Sequence, residues 1–435
     1  MRIAYLVPGS GDLSYCENCL RDGVLIEALM QAGQDVLAVP LYLPPMLETD
    51  ELEGLQVFFG GVNVFLQQKW GFFRRAPEWL NRLCNRPSLL RLAAGRSGMT
   101  DPAMLAETAQ SMLLGSAGHQ ARELEKVGDW LAQASPRIDV VILSNALLAG
   151  MAAHLREKLA APVVCLLQDE HEFLDLVPAS HAQALMATLR TALSAVSQVV
   201  SVSRFYDDNL ATRLGFQPSQ RSVVYPGIRV EQFPLRPTLP KIPALGFLSR
   251  WSEDKGPHRL AQAYQLLREE PEHQELRLHF AGGWMLGDEP YIRSWRAALA
   301  SAEQTGQVTF TRRFDQETRR DLFDRLHLLV VAESRPPAFR RYVLEALCTG
   351  VTVIAPPLGV FKELAEVLSE GLVLCDSEPA KLAQCCAALL RDPAALAERG
   401  RRAHMAVQKH FSAAASGLQL AALLEKLINE GQEER

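Results

Sequence analysis

The chain lacks both a strong charge of one sign and any long apolar run. Its 435 residues include 45 Lys and Arg against 50 Asp and Glu, which leaves a formal net charge of -5. So small a charge argues against a general nucleic-acid binder. No apolar stretch reaches the roughly 20 residues of a transmembrane helix, and no signal-like leader precedes the first strand-like run. We therefore expect a cytoplasmic protein of two or three domains.

Cysteines are few and are not spaced for a metal. Of the eight, only Cys16 and Cys19 form a C-x-x-C pair. A zinc site usually needs a second pair or two spaced histidines, so no metal site is predicted. Cys165, Cys348 and Cys375 stand inside apolar runs and are expected in the core. For Cys16 and Cys19 we favour half-buried thiols at a helix start, with a redox pair as the alternative.

Apolar runs of strand length alternate with helical patterns along the chain. Such alternation predicts an α/β fold with parallel sheets. Four prolines between residues 234 and 243 indicate a stiff connector, which we take as the domain boundary. We expect an N-terminal Rossmann-like domain over 1–233 and a C-terminal one over 244–410. A final helix over 411–435 is expected to pack back on the first domain.

A glycine-rich turn, Pro8-Gly9-Ser10-Gly11-Asp12, follows the first predicted strand. A strand, a glycine turn and a helix start is the arrangement with which nucleotide-binding folds hold phosphates. However, Ser14 stands where a dinucleotide fingerprint has its third glycine, which argues against an NAD-dependent dehydrogenase. Gly9 and Gly11 are therefore candidate ligand contacts, and the alternative is that they only form a tight turn.

Ionisable residues cluster where the predicted strand 162–167 ends, in the sequence Gln168-Asp169-Glu170-His171-Glu172. Ligands of parallel sheets bind beyond the carboxyl ends of strands, so Asp169 is a candidate functional carboxylate. The alternative is that Asp169 or Glu170 simply starts a short helix.

A basic and aromatic segment spans residues 69–96, within a predicted helical insert over about 69–135. Seven Lys and Arg face a single acid there, and Trp and Phe are interleaved. We favour an insert that packs on its own domain. Contact with an anionic membrane surface and an acceptor site for an anionic substrate are the alternatives.

Two loops of the second half carry the strongest chemical pattern. After the predicted strand 244–249, Arg250 and Lys255 flank a helix start. Two cations at such a position can bind an anionic ligand together with the backbone N–H groups. The alternative is that they form a solvated surface pair. Gly282 follows the next predicted strand and is a further candidate ligand contact.

The stretch 326–363 resembles the donor-binding region of retaining glycosyltransferases of the family-four type, which have the GT-B fold. The residues that carry the resemblance are Ser334-Arg335, Ala338-Phe339, Val343-Leu344-Glu345-Ala346-Leu347, Gly350-Val351, Val353-Ile354-Ala355, Gly359 and Glu363. Three positions depart from the family pattern. Pro337 replaces the first of two glutamates, and Arg340 replaces a glycine. Gln168 stands where the family often has the histidine of a His-Asp pair. Glu333 lies near enough in sequence to take the place of the missing glutamate.

The resemblance implies two Rossmann-like domains whose parallel sheets face a central cleft. It implies that Arg250 and Lys255 bind the donor pyrophosphate and that Glu345 binds the donor ribose. Gly9, Gly11, Gly282 and Gly359 become donor contacts, and Asp169 a carboxylate near the reacting centre. The expected activity is that of a hexosyltransferase-like enzyme.

This enzyme would use a nucleotide sugar such as a UDP-sugar and an unidentified acceptor, with retention, and without metal or other cofactor. The alternative is a catalytically degenerate protein that binds a nucleotide or a partner.

Overall fold

The computed structural model describes residues 1–8, 17–41, 102–284, 286–368 and 370–433. The chain forms two compact units, the first from Met1–Pro226 with Ser416–Arg435 and the second from Gly227–Ala415. The division lies ahead of the proline-rich connector, which belongs to the second unit. There Ile228 accepts a hydrogen bond from the Ala413 amide at 2.8 Å, and Arg236 donates to the Gly350 carbonyl at 3.0 Å. These contacts explain why the boundary precedes residue 234.

The described part of the first unit contains a six-stranded sheet in the order β2-β1-β3-β4-β5-β6, with every neighbouring pair parallel. The strands are β1 Arg2–Val7, β2 Asp35–Pro40, β3 Val140–Leu143, β4 Val163–Leu167, β5 Gln198–Ser201 and β6 Arg221–Val223. β1, β3 and β4 are built almost wholly from buried apolar side chains, as expected for strands covered on both faces. The direction in which successive strands are added changes at β1: β2 lies on one side of it, and β3 to β6 follow on the other.

Helices cover this sheet. They are α1 Glu17–Gln31, α2 Pro102–Leu113, α3 Ala121–Ala132, α4 Ala152–Leu159, α5 Glu170–Leu174, α6 Ala179–Leu193, α7 Arg204–Tyr206 and α8 Thr212–Leu214. Within the predicted helical insert over about 69–135, the described residues form two helices, α2 and α3, with a break between them. The break comes at Gly115, whose φ of +55° ends the first helix and whose missing side chain admits the Gly150 carbonyl.

The described part of the second unit repeats the architecture, with a parallel sheet in the order β12-β11-β10-β7-β8-β9. Its strands are β7 Ala244–Arg250, β8 Arg277–Gly283, β9 Val308–Thr311, β10 Leu328–Val330, β11 Thr352–Ala355 and β12 Leu372–Leu374. In this sheet the direction in which strands are added changes between β7 and β10. Ligands of open parallel sheets bind at such a reversal, beyond the carboxyl ends of the strands.

The helices of this unit are α9 Pro257–Arg268, α10 Glu289–Arg296, α11 Ala300–Gln304, α12 Gln316–Arg325, α13 Arg341–Cys348, α14 Val360–Val367, α15 Pro379–Leu390 and α16 Pro393–His410. A last helix, α17 Ala413–Glu433, continues into the first unit, where Leu420 and Leu424 join the core around Tyr5. Across the described ranges, we find no helix that combines the length and apolar character needed to cross a membrane.

Several sequence predictions fall outside the described residues. These are the glycine turn with Gly9 and Gly11, Cys16 of the C-x-x-C pair, and residues 69–101 of the basic insert. The described part of that insert consists of α2 and α3.

Candidate functional site

The reversal point of the second sheet brings the loops after β7 and β10 together. The loop after β7 carries Lys255, and the loop after β10 carries Glu333 and Arg340. Both the Ser334 amide and its hydroxyl donate to the Asp254 carbonyl, at 2.8 and 3.1 Å, which joins the two loops. Sequence analysis predicted a ligand site from these loops separately, and the structure places them side by side.

Glu333 is the centre of a buried charged cluster. It is 1% exposed and accepts hydrogen bonds from Arg340 at both carboxylate oxygens, Nε to Oε1 at 2.7 Å and Nη2 to Oε2 at 2.8 Å. Lys255 Nζ donates to the same Oε2 at 3.3 Å, and the Tyr342 hydroxyl contacts Oε1 at 3.4 Å. The cluster of Lys255, Glu333 and Arg340 thus brings two cations to one carboxylate. A buried carboxylate is tolerated when it is paired and hydrogen-bonded in this way.

Arg250 lies at the carboxyl end of β7 and is 43% exposed in its side chain. Its Nε and Nη2 atoms donate to the two oxygens of Asp288, each at 3.0 Å. Asp288 precedes α10, 38 residues farther along the chain, and nothing in the sequence pointed to it. Arg250 therefore keeps a bidentate carboxylate partner at the position predicted to bind a diphosphate.

Glu345, the predicted ribose contact, lies on α13 and is 1% exposed. Arg319 Nε donates to its Oε2 at 2.8 Å, and Arg341 Nη2 lies 3.0 Å from its Oε1. Both oxygens are thus occupied by guanidinium groups from α12 and α13. Ribose binding by Glu345 stays a prediction, and it requires the carboxylate to keep a lone pair for the ligand beside these two contacts.

Two predicted glycines occupy positions that admit no side chain. Gly359 has a φ of +53°, and a Cβ there would meet the backbone of Pro337. Gly282, with a φ of +141°, would place a Cβ against the Ser249 carbonyl. Gly359 thus admits the backbone of the loop that carries Pro337, and Gly282 admits the neighbouring strand β7, both at the carboxyl edge of the sheet. Their contact with a donor stays a prediction.

An aromatic stack, with an arginine beside it, lies beyond the ends of β7, β8 and β9. The rings of Trp251 and Trp284 are stacked with centroids 5.0 Å apart, and the Arg312 guanidinium lies 3.9 Å from the Trp284 ring centroid. Trp251 is buried and its indole N–H donates to the Ala281 carbonyl at 3.3 Å. The stack fixes Arg312 at the edge of the sheet by a cation–π contact.

The first unit has its own polar cluster at the carboxyl edge, around Asp22 of α1. The Tyr5 hydroxyl donates to Asp22 Oδ1 at 3.0 Å, and Arg21 and Gln168 each donate to the same oxygen at 3.3 Å. Gln168 also donates to the Ser144 carbonyl. Burial raises the pKa of Asp22 to about 6. Gln168, which stands where the resembled pattern has a histidine, thus makes hydrogen bonds that hold this cluster together.

Asp169 and Glu170 differ sharply in environment. Glu170 is buried and accepts from the Gln168 amide at 2.7 Å, the Tyr206 hydroxyl at 2.7 Å and the Ala146 amide at 2.9 Å. Burial raises the pKa of Glu170. Asp169 is half-buried at the start of α5, where its side chain makes no capping hydrogen bond. Of these two carboxylates, Asp169 is the more accessible one.

Sequence reasoning missed several partners of the predicted residues. Tyr5, Asp22, Asp288 and Arg319 stand in separate segments with no motif around them. They are recognisable only as polar residues in or beside apolar patterns, and that signal does not identify a partner.

Residues 242–392, about a third of the chain, match the family model described as Glycosyl transferases group 1. The matched segment lies within the second unit and carries Arg250, Lys255 and Glu345. A comparison with curated protein sequences found no match.

Solved structures similar to the chain cover nearly its whole length. HepE from Anabaena, in complex with UDP, is 17% identical with a TM-score of 0.65 and covers 98% of this chain and 100% of its own. Sucrose-phosphate synthase from Thermosynechococcus elongatus is 16% identical with a TM-score of 0.70, covering 99% of each chain. A glycosyltransferase from Rickettsia africae is 13% identical with a TM-score of 0.61, covering 98% of each. At these identities the likeness concerns the fold alone, and it confirms the α/β class of GT-B type with two parallel sheets.

Proposed function

We propose that the protein transfers a sugar from a nucleotide-sugar donor to a hydroxyl-bearing acceptor. The observation that carries this proposal is the position of Arg250 and Lys255 in the segment that matches the glycosyl transferase family model. Lys255 lies at the reversal point of the second sheet and Arg250 ends the strand beside it. Such cations can hold a diphosphate at the edge where parallel sheets bind their ligands.

The proposed reaction breaks the bond between the anomeric carbon and the terminal phosphate oxygen of the donor. The nucleoside diphosphate leaves with the bonding electrons, and the acceptor oxygen bonds to the anomeric carbon. The acceptor proton passes to the leaving diphosphate or to a base. Arg250 and Lys255 stabilise the negative charge that develops on the diphosphate, which is the role that a metal ion has in other enzymes. We therefore also propose that transfer is independent of metal.

Retention of the anomeric configuration is proposed from the resemblance of residues 334–363 to retaining enzymes. Gly9, Gly11, Gly282, Gly359 and Glu345 remain proposed donor contacts on the same ground. Asp169 is proposed as the carboxylate near the reacting centre, and its greater accessibility compared with Glu170 supports this choice. Peripheral membrane contact through residues 69–96 stays a prediction from the sequence.

A second candidate function is nucleotide binding without catalysis. It is favoured by the environment of the two glutamates, because the oxygens of Glu333 and Glu345 are all occupied by cationic side chains. Pro337 offers no carboxylate in their place. A protein of this kind would bind a nucleoside diphosphate and release no sugar.

A thermal-shift panel of UDP-, GDP- and ADP-sugars tests the proposal first, because a ligand that binds only the folded state raises the Tm. UDP-glucose is the first donor to test, since a HepE structure contains it. Acceptor-dependent release of the nucleoside diphosphate supports transfer, and NMR of the product reports its anomeric configuration. Activity that survives EDTA supports metal independence. Binding without release favours the second function, and a panel without any shift contradicts both.

A further inference from the structure

The contacts within the charged cluster of Lys255, Glu333 and Arg340 follow an order of strength, and this order bears on donor binding. Arg340 and Lys255 share Glu333 as an anionic partner, but they do not share it equally. Arg340 makes the short bidentate contact, at 2.7 and 2.8 Å, whereas Lys255 makes a single contact at 3.3 Å. Bidentate guanidinium–carboxylate bonds are stronger and more directional than single ammonium contacts.

Burial separates the two cations in the same sense. Arg340 is 4% exposed, and its Nη1 donates to the Phe339 carbonyl at 2.8 Å, so the guanidinium is fixed within the core. The Lys255 side chain is 11% exposed, and its second carboxylate neighbour, Asp254, lies 3.6 Å away at the surface. Lys255 is therefore the cation of the cluster that can reach a ligand at the edge of the sheet.

We propose that Arg340 is a positioning residue that occupies Glu333 and thereby leaves Lys255 able to bind a diphosphate. Glu333 without Arg340 would be a buried carboxylate that keeps its contact with Lys255. Lys255 would then form a tight internal ion pair and lose affinity for an anionic ligand. The diphosphate part of this proposal rests on the proposed function, whereas the order within the cluster does not.

The same geometry assigns a role to Glu333. All of its lone pairs have donors from Arg340, Lys255 and Tyr342, so Glu333 acts through these side chains rather than by binding a sugar. Arg340 replaces a glycine of the resembled pattern, and its long side chain is directed back to Glu333. The departure at 340 is thus linked to a carboxylate at 333.

The test measures the reactivity of Lys255 in three variants, Arg340→Gln, Glu333→Gln and the double variant. The full-length proteins are treated briefly with acetic anhydride, and acetylation of Lys255 is followed by peptide mass spectrometry. Only the neutral amine reacts, so a tighter ion pair slows labelling and a loss of the carboxylate accelerates it. We expect about threefold slower labelling in Arg340→Gln and about threefold faster labelling in Glu333→Gln, with the double variant between them.

The opposite changes in the labelling rate of Lys255 in the two single variants distinguish positioning from a merely structural role. If the substitutions only loosened the fold, both single variants would label faster and melt lower together. Exposed Lys381 serves as the internal reference for labelling, and Arg402→Gln is the matched control, because Arg402 also pairs with carboxylates but at the surface. Equal labelling of Lys255 in wild type and Arg340→Gln overturns the proposal.

Calorimetric titration with UDP separates this inference from the proposed function. We expect UDP to bind Arg340→Gln about tenfold more weakly than wild type, with recovery in the double variant. If wild type binds none of UDP, GDP and ADP while the labelling follows the expected order, the proposed function fails and the order of the cluster stands. If wild type binds UDP and Arg340→Gln binds it equally well, the role of Arg340 in ligand binding is refuted.

Discussion

Arg250 and Asp288 form a bidentate pair at the carboxyl edge of the second sheet, with both hydrogen bonds at 3.0 Å. The arginine is 43% exposed, so the pair is accessible to solvent and to ligands. A diphosphate that binds Arg250 must therefore compete with an aspartate that is already in place. This competition gives Asp288 an influence on donor affinity although it is not itself a predicted ligand.

Replacement of Asp288 by Asn should strengthen UDP binding. An exposed ion pair contributes about 0.2–1 kcal/mol, so release of Arg250 should lower the Kd by up to about fivefold. Titration calorimetry at low salt measures the change. Asp376→Asn, which removes an exposed lysine partner elsewhere in the same unit, is the control. A weaker Kd in Asp288→Asn would mean that Asp288 holds Arg250 in its binding position instead of competing for it.

Replacement of Lys255 by Ala should reduce turnover by about 100-fold or more, because a cation that stabilises charge developing in the transition state is lost. Steady-state release of the nucleoside diphosphate from the preferred donor measures the effect. Lys381→Ala provides the comparison, since this lysine is exposed and pairs with Asp376 and Glu378. Activity of Lys255→Ala within about twofold of wild type would remove Lys255 from the reaction.

Replacement of Glu345 by Gln should destabilise the second unit strongly. The substitution leaves the guanidinium groups of Arg319 and Arg341 buried beside each other without their shared carboxylate. Breaking a buried ion pair on one side costs about 3–5 kcal/mol. Urea unfolding followed by far-UV circular dichroism gives the value, and Glu398→Gln, at an exposed arginine pair, is the matched variant. A change no larger than that of Glu398→Gln would show that the carboxylate is not needed for folding.

The stability of the first unit should depend on pH through Asp22. Burial raises the pKa of Asp22 from 3.8 to about 6 in the folded protein. The folded state therefore binds a proton between these values that the unfolded state has lost, and this contribution to stability disappears as pH rises through 6. Relative to Asp22→Asn, wild type should gain up to about 3 kcal/mol in the free energy of unfolding as pH falls from 7 to 4.

Urea titrations of wild type and Asp22→Asn at pH 4, 5, 6 and 7 test this expectation. The difference between the two proteins matters, because other carboxylates contribute to both in the same way. A difference that stays constant across the range would show that Asp22 keeps its charge when folded.

Local patterns predicted the elements of both sheets closely. The predicted strands 162–167 and 244–249 each differ from the observed strand by only one residue, because a proline lies at or just before the start of each. The pattern within the described part of the predicted helical insert was less informative, because apolar spacing continues through the turn that Gly115 creates. Periodicity reports the buried face of a helix but not a change in its direction.

The candidate site was predicted in part. Arg250, Lys255 and Glu345 could be chosen from local spacing and resemblance, but their partners could not. Asp288 lies 38 residues from Arg250, and Arg319 lies 26 residues from Glu345. Such ion pairs form only when strands and helices assemble, and one sequence contains no record of which distant residues meet. The structure thus adds the partners of these residues, which the sequence did not predict.

The hydrogen bonds around Ile228 have a practical consequence for dissection of the protein. The Ile228 amide donates to the Phe411 carbonyl at 2.9 Å, and Phe233 packs against Phe323 with ring centroids 6.3 Å apart. The beginning and the end of the second unit are therefore hydrogen-bonded to each other. A fragment of residues 227–415 should fold independently, whereas a fragment that starts at 244 would lack Phe233, expose Phe323 and aggregate.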